Sequence, residues 1–135
     1  MGPAVYDPSE LQARAAKAEA LDWTTCFFAL YGGDRGMTSA AVSEPVGDAG
    51  IATRFTVGVN MAPGSGSWVF TLMKGDTPLL PPCTVTGTGR TCQSTGYAAF
   101  SPTDRLSIKM TVGTGDDAPS NMFSTAAFQL KYIVQ

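Results

Sequence analysis

From residue 24 onward the chain is written in period two, and that alternation constrains the fold more than any other feature. "IATRFTVGVN" (51–60) places Ile51, Thr53, Phe55, Val57 and Val59 on one face and stops at "APGSG". "SWVFTLMKG" (67–75) sets Trp68, Phe70 and Leu72 against Val69, Thr71 and Met73. "RLSIKMTVG" (105–113) aligns Leu106, Ile108, Met110 and Val112, and "FSTAAFQLKYIV" (123–134) aligns Phe128, Leu130, Tyr132 and Val134. Successive strand side chains point to opposite faces, so each segment has one face for a core and one for something else. Shorter segments of the same grammar occur at 24–31, 37–46, 77–80, 83–87, 90–95 and 98–100, separated by "GGDRG", "GDAG" and similar turn-formers. Many short strands bounded by Gly, Pro and Asp predict an all-β sandwich or barrel.

Composition agrees. Only 15% of residues are charged, while 15 Gly and 9 Pro supply turns. The 135 residues suffice for one core and not for two. A net charge of −2, with the nine Lys and Arg scattered singly, leaves no basic footprint for nucleic acid. No apolar run approaches the ~20 residues of a membrane span. The start, "MGPAVYDPSE", lacks the cationic and apolar regions of a secretory signal. Few charges also mean a surface of Ser, Thr, Gly and Ala, which is cheap to desolvate against copies of itself or a large partner.

Residues 1–23 read differently from the rest. "MGPAVY" is an extended arm. Asp7 is then an N-cap, Pro8 fits N1 and Glu10 fits N3, predicting a short α-helix over 7–22. The division expected is an arm and helix at 1–23 and a β-domain at 24–135. Val5, Tyr6, Leu11 and Leu21 are isolated apolar groups on this segment. They are the candidate anchors of a docking segment that orders against a partner or neighbouring subunit, the alternative being a frayed tail.

Two cysteines frame "PCTVTGTGRTC" (82–92). Zinc takes four ligands, usually Cys or His, and the chain has no histidine and only Cys26 besides these two. A redox pair would be C-x-x-C. A two-residue turn at Gly87-Thr88 instead places Cys83 directly opposite Cys92 in a hairpin, at ~4.5–5.5 Å between Cα atoms, which a disulfide can bridge. Cys26 is then a free buried thiol. A disulfide in a chain without a leader fits a particle built in a cytosol and later released.

Other candidates are bland. "GTGDDAPSN" gathers Asp116, Asp117 and Asn121, oxygen ligands without a recognisable Ca²⁺-loop spacing, and reads as a solvated turn. No second carboxylate is placed to complete a glycosidase pair. "GGDRG" (32–36) lacks the Lys-Ser/Thr of a phosphate loop. Without histidine, acid–base chemistry would fall to Asp, Glu, Lys, Tyr or Cys. The expectation is a protein that is not an enzyme and uses no metal or cofactor. Trp68 is expected in the core, and Trp23 at the junction of helix and sandwich.

With its "GSWVFTLMKG" strand (66–75), cysteine pair, "FSPTDRLSIKM" step (100–110) and closing "FQLKYIV", the region 24–134 resembles the trimeric jelly-roll domains of the C1q/TNF-like class. Thr103 departs from the pattern, standing where Gly precedes the Asp. The resemblance implies an antiparallel two-sheet jelly roll forming a homotrimer, of the kind found in phage capsid decoration (cement) proteins and fibre heads. The expected function is therefore structural: a virion protein on the capsid exterior, assembled in the host cytoplasm, binding the major capsid protein and stabilising the shell. The alternative is a trimeric receptor- or glycan-binding head of a fibre or adhesin, working through loops near Asp34–Arg35 or Asp116–Asp117. Neither reading involves nucleic acid or membrane.

Overall fold

A computed structural model of the protein describes residues 49–112, 118–121, 123 and 125–134, with the backbone alone of five further strand segments. The strands are β1 (Ala4–Tyr6), β2 (Ala13–Lys17), β3 (Thr25–Phe28), β4 (Arg35–Gly36), β5 (Glu44–Pro45) and β6 (Gly50–Val59). They continue as β7 (Ser67–Lys74), β8 (Thr77–Pro78), β9 (Cys83–Thr86), β10 (Thr91–Phe100), β11 (Arg105–Val112) and β12 (Thr125–Val134). Among the described residues there is no helix, and every pairing is antiparallel. The strands form two sheets. Sheet I runs β1-β12-β6-β10, with β2 also on β12; sheet II runs β4-β3-β11-β7-β8, with β5 on β11 and β9 on β7.

The alternation read from the sequence becomes one core between these sheets. From sheet II come Trp68, Phe70, Leu72, Val85, Leu106, Ile108 and Met110, each at most 1% exposed. Sheet I answers with Phe55, Val57, Phe128, Leu130 and Tyr132, equally buried. Phe70 meets Phe128 across the gap at 5.9 Å between centroids, and Phe128 lies 6.2 Å from Phe55. Trp68 packs edge-on against Phe123 at 4.7 Å, so it belongs to the core as expected. Such offset and T-shaped pairs add stability beyond the area they bury.

In β6 the observed alternation departs from the expected one. Phe55, Val57 and Val59 point inward as expected, but Ile51 and Thr53 do not; Gly50 and Ala52 take the buried positions. The register explains this: Lys131 pairs with Arg54 while Tyr132 pairs with Ala52, so one extra residue bulges from β6. The hydroxyl of Thr53 donates to the Lys131 carbonyl at 3.1 Å and ties the bulge down. A bulge flips the phase of everything beyond it.

The helix expected over 7–22 is replaced at Ala13–Lys17 by β2, which pairs with β12 from Lys17↔Thr125 to Ala13↔Phe128. The remainder of that segment lies outside the described residues, as does Trp23. Its Ala-rich stripe offered a helix little to bury, whereas the outer edge of β12 presents backbone groups that require partners. Propensity yields to that demand. β1 takes the other end of the same edge, from Ala4↔Val134 to Tyr6↔Tyr132.

The two cysteines are joined, with Cα atoms 5.6 Å apart. They are not ladder partners in a hairpin, which corrects the register expected from the sequence. Cys83 pairs with Phe70 in sheet II and Cys92 with Val57 in sheet I. The turn itself falls where expected: Gly89 N–H donates to the Thr86 carbonyl at 2.9 Å, with Gly87 at φ 59°. Beyond it the strands diverge into opposite sheets, because each finds a longer partner there than the other could offer. The disulfide is therefore an inter-sheet tie. Of Cys26, the backbone stands opposite Met110.

Candidate binding face

The outer face of sheet I is an extended surface that the topology assembles from distant parts of the chain. Its rows follow from register and from which residues alternate with buried ones. At one end Val5, Ile133, Ile51 and Ala99 stand side by side on β1, β12, β6 and β10. Next come Lys131, Arg54 and Thr95, then Gln129, Thr56 and Gln93, and finally Ala127, Gly58 and Thr91. Strands lie ~4.8 Å apart and successive outward rows ~6.8 Å apart, so the last three rows cover roughly 10 by 14 Å.

This grid has two ends of different character. The first row is apolar, and beside it Tyr97 is 83% exposed, the most exposed large hydrophobic side chain among the described residues. At the opposite end Gly58 has no side chain and its neighbour Ala127 has a small one. The result is an open depression of about 200 Å³ lined by Thr56, Val57, Gly58, Thr91, Ala127 and Gln129. A Cβ placed on Gly58 would touch nothing within 4 Å. The glycine leaves space above the sheet and is not required by backbone conformation.

The charged residues of the sheet I strands are all of one sign. The five strands of sheet I, "AVY", "ARAAK", "GIATRFTVGV", "TCQSTGYAAF" and "TAAFQLKYIV", contain Arg14, Lys17, Arg54 and Lys131 and no carboxylate. Arg54 and Lys131 are direct cross-strand partners. Like charges so placed are destabilising in an isolated sheet. The chain as a whole carries −2, so its carboxylates stand at other positions of the sequence. Of eleven Asp and Glu, the described strands hold only Glu44, in β5.

A second cluster lies at one end of the sandwich, where the loops 60–66, 87–90 and 118–121 are hydrogen-bonded together. Gly64 N–H donates to the Gly87 carbonyl at 2.9 Å, and Asn121 N–H to the Pro63 carbonyl at 3.0 Å. The Ser120 hydroxyl accepts from Ser65 N–H and donates to the Pro63 carbonyl, each at 3.1 Å. Ser65 donates its own hydroxyl to the Ala118 carbonyl at 3.2 Å. Gly64, at φ +77°, lies so close to Ser120 that a Cβ there would collide with its hydroxyl. These groups are committed to one another, and the cluster is a clasp between loops.

Of the residues singled out from the sequence, Val5 and Tyr6 form part of β1, opposite Ile133 and Tyr132. Leu11, Leu21, Asp34, Asp116 and Asp117 lie outside the described residues, and Arg35 lies in β4. Arg54, Gly58 and Lys131 were not legible as a set, because 77 positions separate Arg54 from Lys131 and only the β6–β12 ladder brings them together. The one signal was the lack of Asp and Glu in the alternating segments 50–59, 91–100 and 125–134.

On the adjoining edge, Asp104 closes the turn from β10 to β11. Its backbone N–H donates to the Ser101 carbonyl at 3.1 Å and its carboxylate accepts from Ser101 N–H at 2.7 Å. That backbone bond holds the Asp104 carboxyl below its ordinary range, helped by the Ser101 hydroxyl and the charge of Lys74 and opposed by slight desolvation.

Neither a protein-family model nor a curated protein matches the chain.

Proposed function

We propose that the protein is a jelly-roll domain of the trimeric C1q/TNF-like kind and acts as a homotrimeric decoration protein on a phage capsid. In this reading it binds the major capsid protein on the outside of the virion, having been assembled in the host cytoplasm, and stabilises the shell. The strand order supports the jelly roll: from β6 onward the chain crosses between sheets rather than completing one before starting the other.

The observation that carries the reading is the apolar row Val5–Ile133–Ile51–Ala99 beside the exposed Tyr97. Solvent-facing positions of an antiparallel sheet are ordinarily polar. Here half-buried Ile133 and Ile51 and exposed Ala99 line up on β12, β6 and β10, with the backbone of Val5 in register beside them, which suits contact with another copy. Ile51 and Ile133 are already half-buried, so completing the burial of one contributes only a fraction of the about 1.5–3 kcal/mol of a fully exposed side chain, and a closed three-fold ring repeats each contact. Val5 joins this row from the arm, so the trimer contact and the arm are continuous. The remaining arm anchors Leu11 and Leu21 then engage the shell, with three arms acting together through effective concentration, while Tyr6 shares the register row of the core residue Tyr132.

Two measurements test this. Mass determination in solution should give a trimer at micromolar concentration, reduced to monomer by Ile133→Asp. Imaging of particles prepared with and without the protein should show it at capsid-subunit junctions. A stable wild-type monomer, or particles of equal stability that never acquire the protein, would sink the reading.

A further inference from the structure

We infer that the outer face of sheet I, from the Arg54–Lys131 row to the depression over Gly58, is a binding site for a carboxylate-bearing saccharide. The inference concerns a different part of the face from the apolar row and does not need the loops near Asp34 or Asp116. It is independent of the decoration reading.

Charge complementarity sets the sign of the ligand. Arg54 is exposed and stands directly across from Lys131, on a sheet whose five strands hold four cations and no carboxylate. Two like charges side by side are relieved by an anion that bridges them. Guanidinium favours a planar carboxylate because two parallel N–H···O bonds fit its fork.

The groups beyond the cation row set the class. Thr56 and Gln93 occupy the next row, and Thr91 the row after it. Hydroxyls donate and accept, and amides do both through different atoms. A sugar ring presents the same duality at every carbon that bears a hydroxyl. The depression at Gly58 is open and about 200 Å³, room for a ring lying against the sheet. An acidic peptide fits less well. Extended peptides are recognised through sheet edges, helices through apolar grooves and polyproline segments through aromatic grooves. The face of a sheet offers a peptide backbone none of these. The grid is ~14 Å long, more than a single ring, so an oligosaccharide reaches from the depression to the cation row.

The test uses the full-length protein and a tetrasaccharide of alternating glucuronic acid and N-acetylglucosamine, with its carboxyl-reduced form as control. Binding is followed by chemical-shift perturbation and calorimetry at low salt. Saturable binding is expected, with perturbations confined to β6, β10 and β12. The carboxyl-reduced form, Arg54→Gln and Lys131→Gln should each weaken it about tenfold, the scale of one charge-assisted hydrogen bond. Gly58→Val should fill the depression and weaken binding similarly, and thermal melting of each variant verifies that the fold persists. Equal binding of the carboxyl-reduced sugar, or undiminished binding by Gly58→Val, would overturn the inference. So would tighter binding of a poly-glutamate peptide than of the tetrasaccharide, which would make an acidic peptide the occupant. Binding seen only after Asp7→Asn and Glu10→Gln would mean that the chain's own carboxylates are the natural partner of the cation pair, and would overturn it too.

Discussion

Reducing the disulfide should weaken the fold by a calculable amount without dissolving it. Cys83 and Cys92 are nine positions apart, so the bond closes a loop of about ten residues in the unfolded chain. Loop-closure entropy for that length is about −9 cal/mol/K, or about 2.7 kcal/mol at 25 °C. The folded state supports the estimate. Cys83 is held by the β9–β7 ladder and Cys92 by the β10–β6 ladder, so neither strand depends on the bond for its place. The effect therefore falls mainly on the unfolded ensemble. For 135 residues the unfolding entropy is about 0.28 kcal/mol/K, so the melting temperature should fall by roughly 10 °C. Urea titrations with and without reductant, at one fixed protein concentration, measure this directly. The slope with denaturant should rise slightly as the unfolded chain expands. Cys83→Ala with Cys92→Ala should match the reduced protein to within the small cost of trimming a buried sulfur. A loss below about 1 kcal/mol, or complete unfolding on reduction at neutral pH, would refute the reasoning, because the first denies the loop constraint and the second denies that the ladders stand alone.

Gly50→Ala should destabilise by about 1–3 kcal/mol, since the new Cβ would lie 2.8 Å from both Phe100 Cζ and Tyr132 Cδ2 in their edge-on pair; Gly58→Ala, with open space above it, should stay within about 0.5 kcal/mol of wild type in the same melts. Asp104 contributes stability that is present above its unfolded pKa and lost as pH falls through its lowered folded value. Asp104→Ala should therefore flatten the acid limb of the stability curve, and an unchanged acid limb in chemical denaturation would count against the turn. Deleting residues 1–22 removes both partners of the outer edge of β12, so the truncated protein should melt earlier and aggregate through that edge; a truncated protein as stable and soluble as the full chain would show that β1 and β2 add nothing to the sheet.

What the sequence disclosed and what it withheld divide along the range of the interactions involved. The strands β7, β11 and β12 were legible because each pattern is local: Trp68, Phe70 and Leu72, or Phe128, Leu130 and Tyr132, declare an inward face within a few residues. Period-two writing fails where a single extra residue changes the phase, and Thr53 is such a residue. The cysteine pair was legible as a proximity and misread as a ladder, because the turn at Gly87-Thr88 looks identical whether its strands stay together or part into two sheets. The segment 13–17 read as helix because local propensity was the only term visible. Its competitor, the unpaired edge of β12, lies over a hundred positions away. The candidate site suffered most. Its residues are individually ordinary, and their meaning comes from the ladders of β12 and β10 with β6.

The two ends of the sheet I face should respond to salt in opposite directions. If copies meet along Ile133, Ile51 and Ala99, then Arg54 and Lys131 lie only one row, ~6.8 Å, from the contact. Cations facing each other across the contact are then about 14 Å apart, beyond a Debye length at physiological ionic strength but within one, roughly 20 Å, at the low-salt end of the series. Their repulsion opposes assembly while the apolar row favours it. Added salt screens the first and leaves the second intact, so association should tighten as sodium chloride rises from roughly 20 to 500 mM. Binding of an anionic ligand at the cation row depends on the same charges with the reverse sign and should weaken over that range. Arg54→Gln separates the terms, since it should make assembly less dependent on salt and tighter at low salt, whatever it does to ligand. Sedimentation velocity across a salt series reads this out. Dissociation of the oligomer on adding salt would show that ionic contacts, and not the apolar row, hold the copies together.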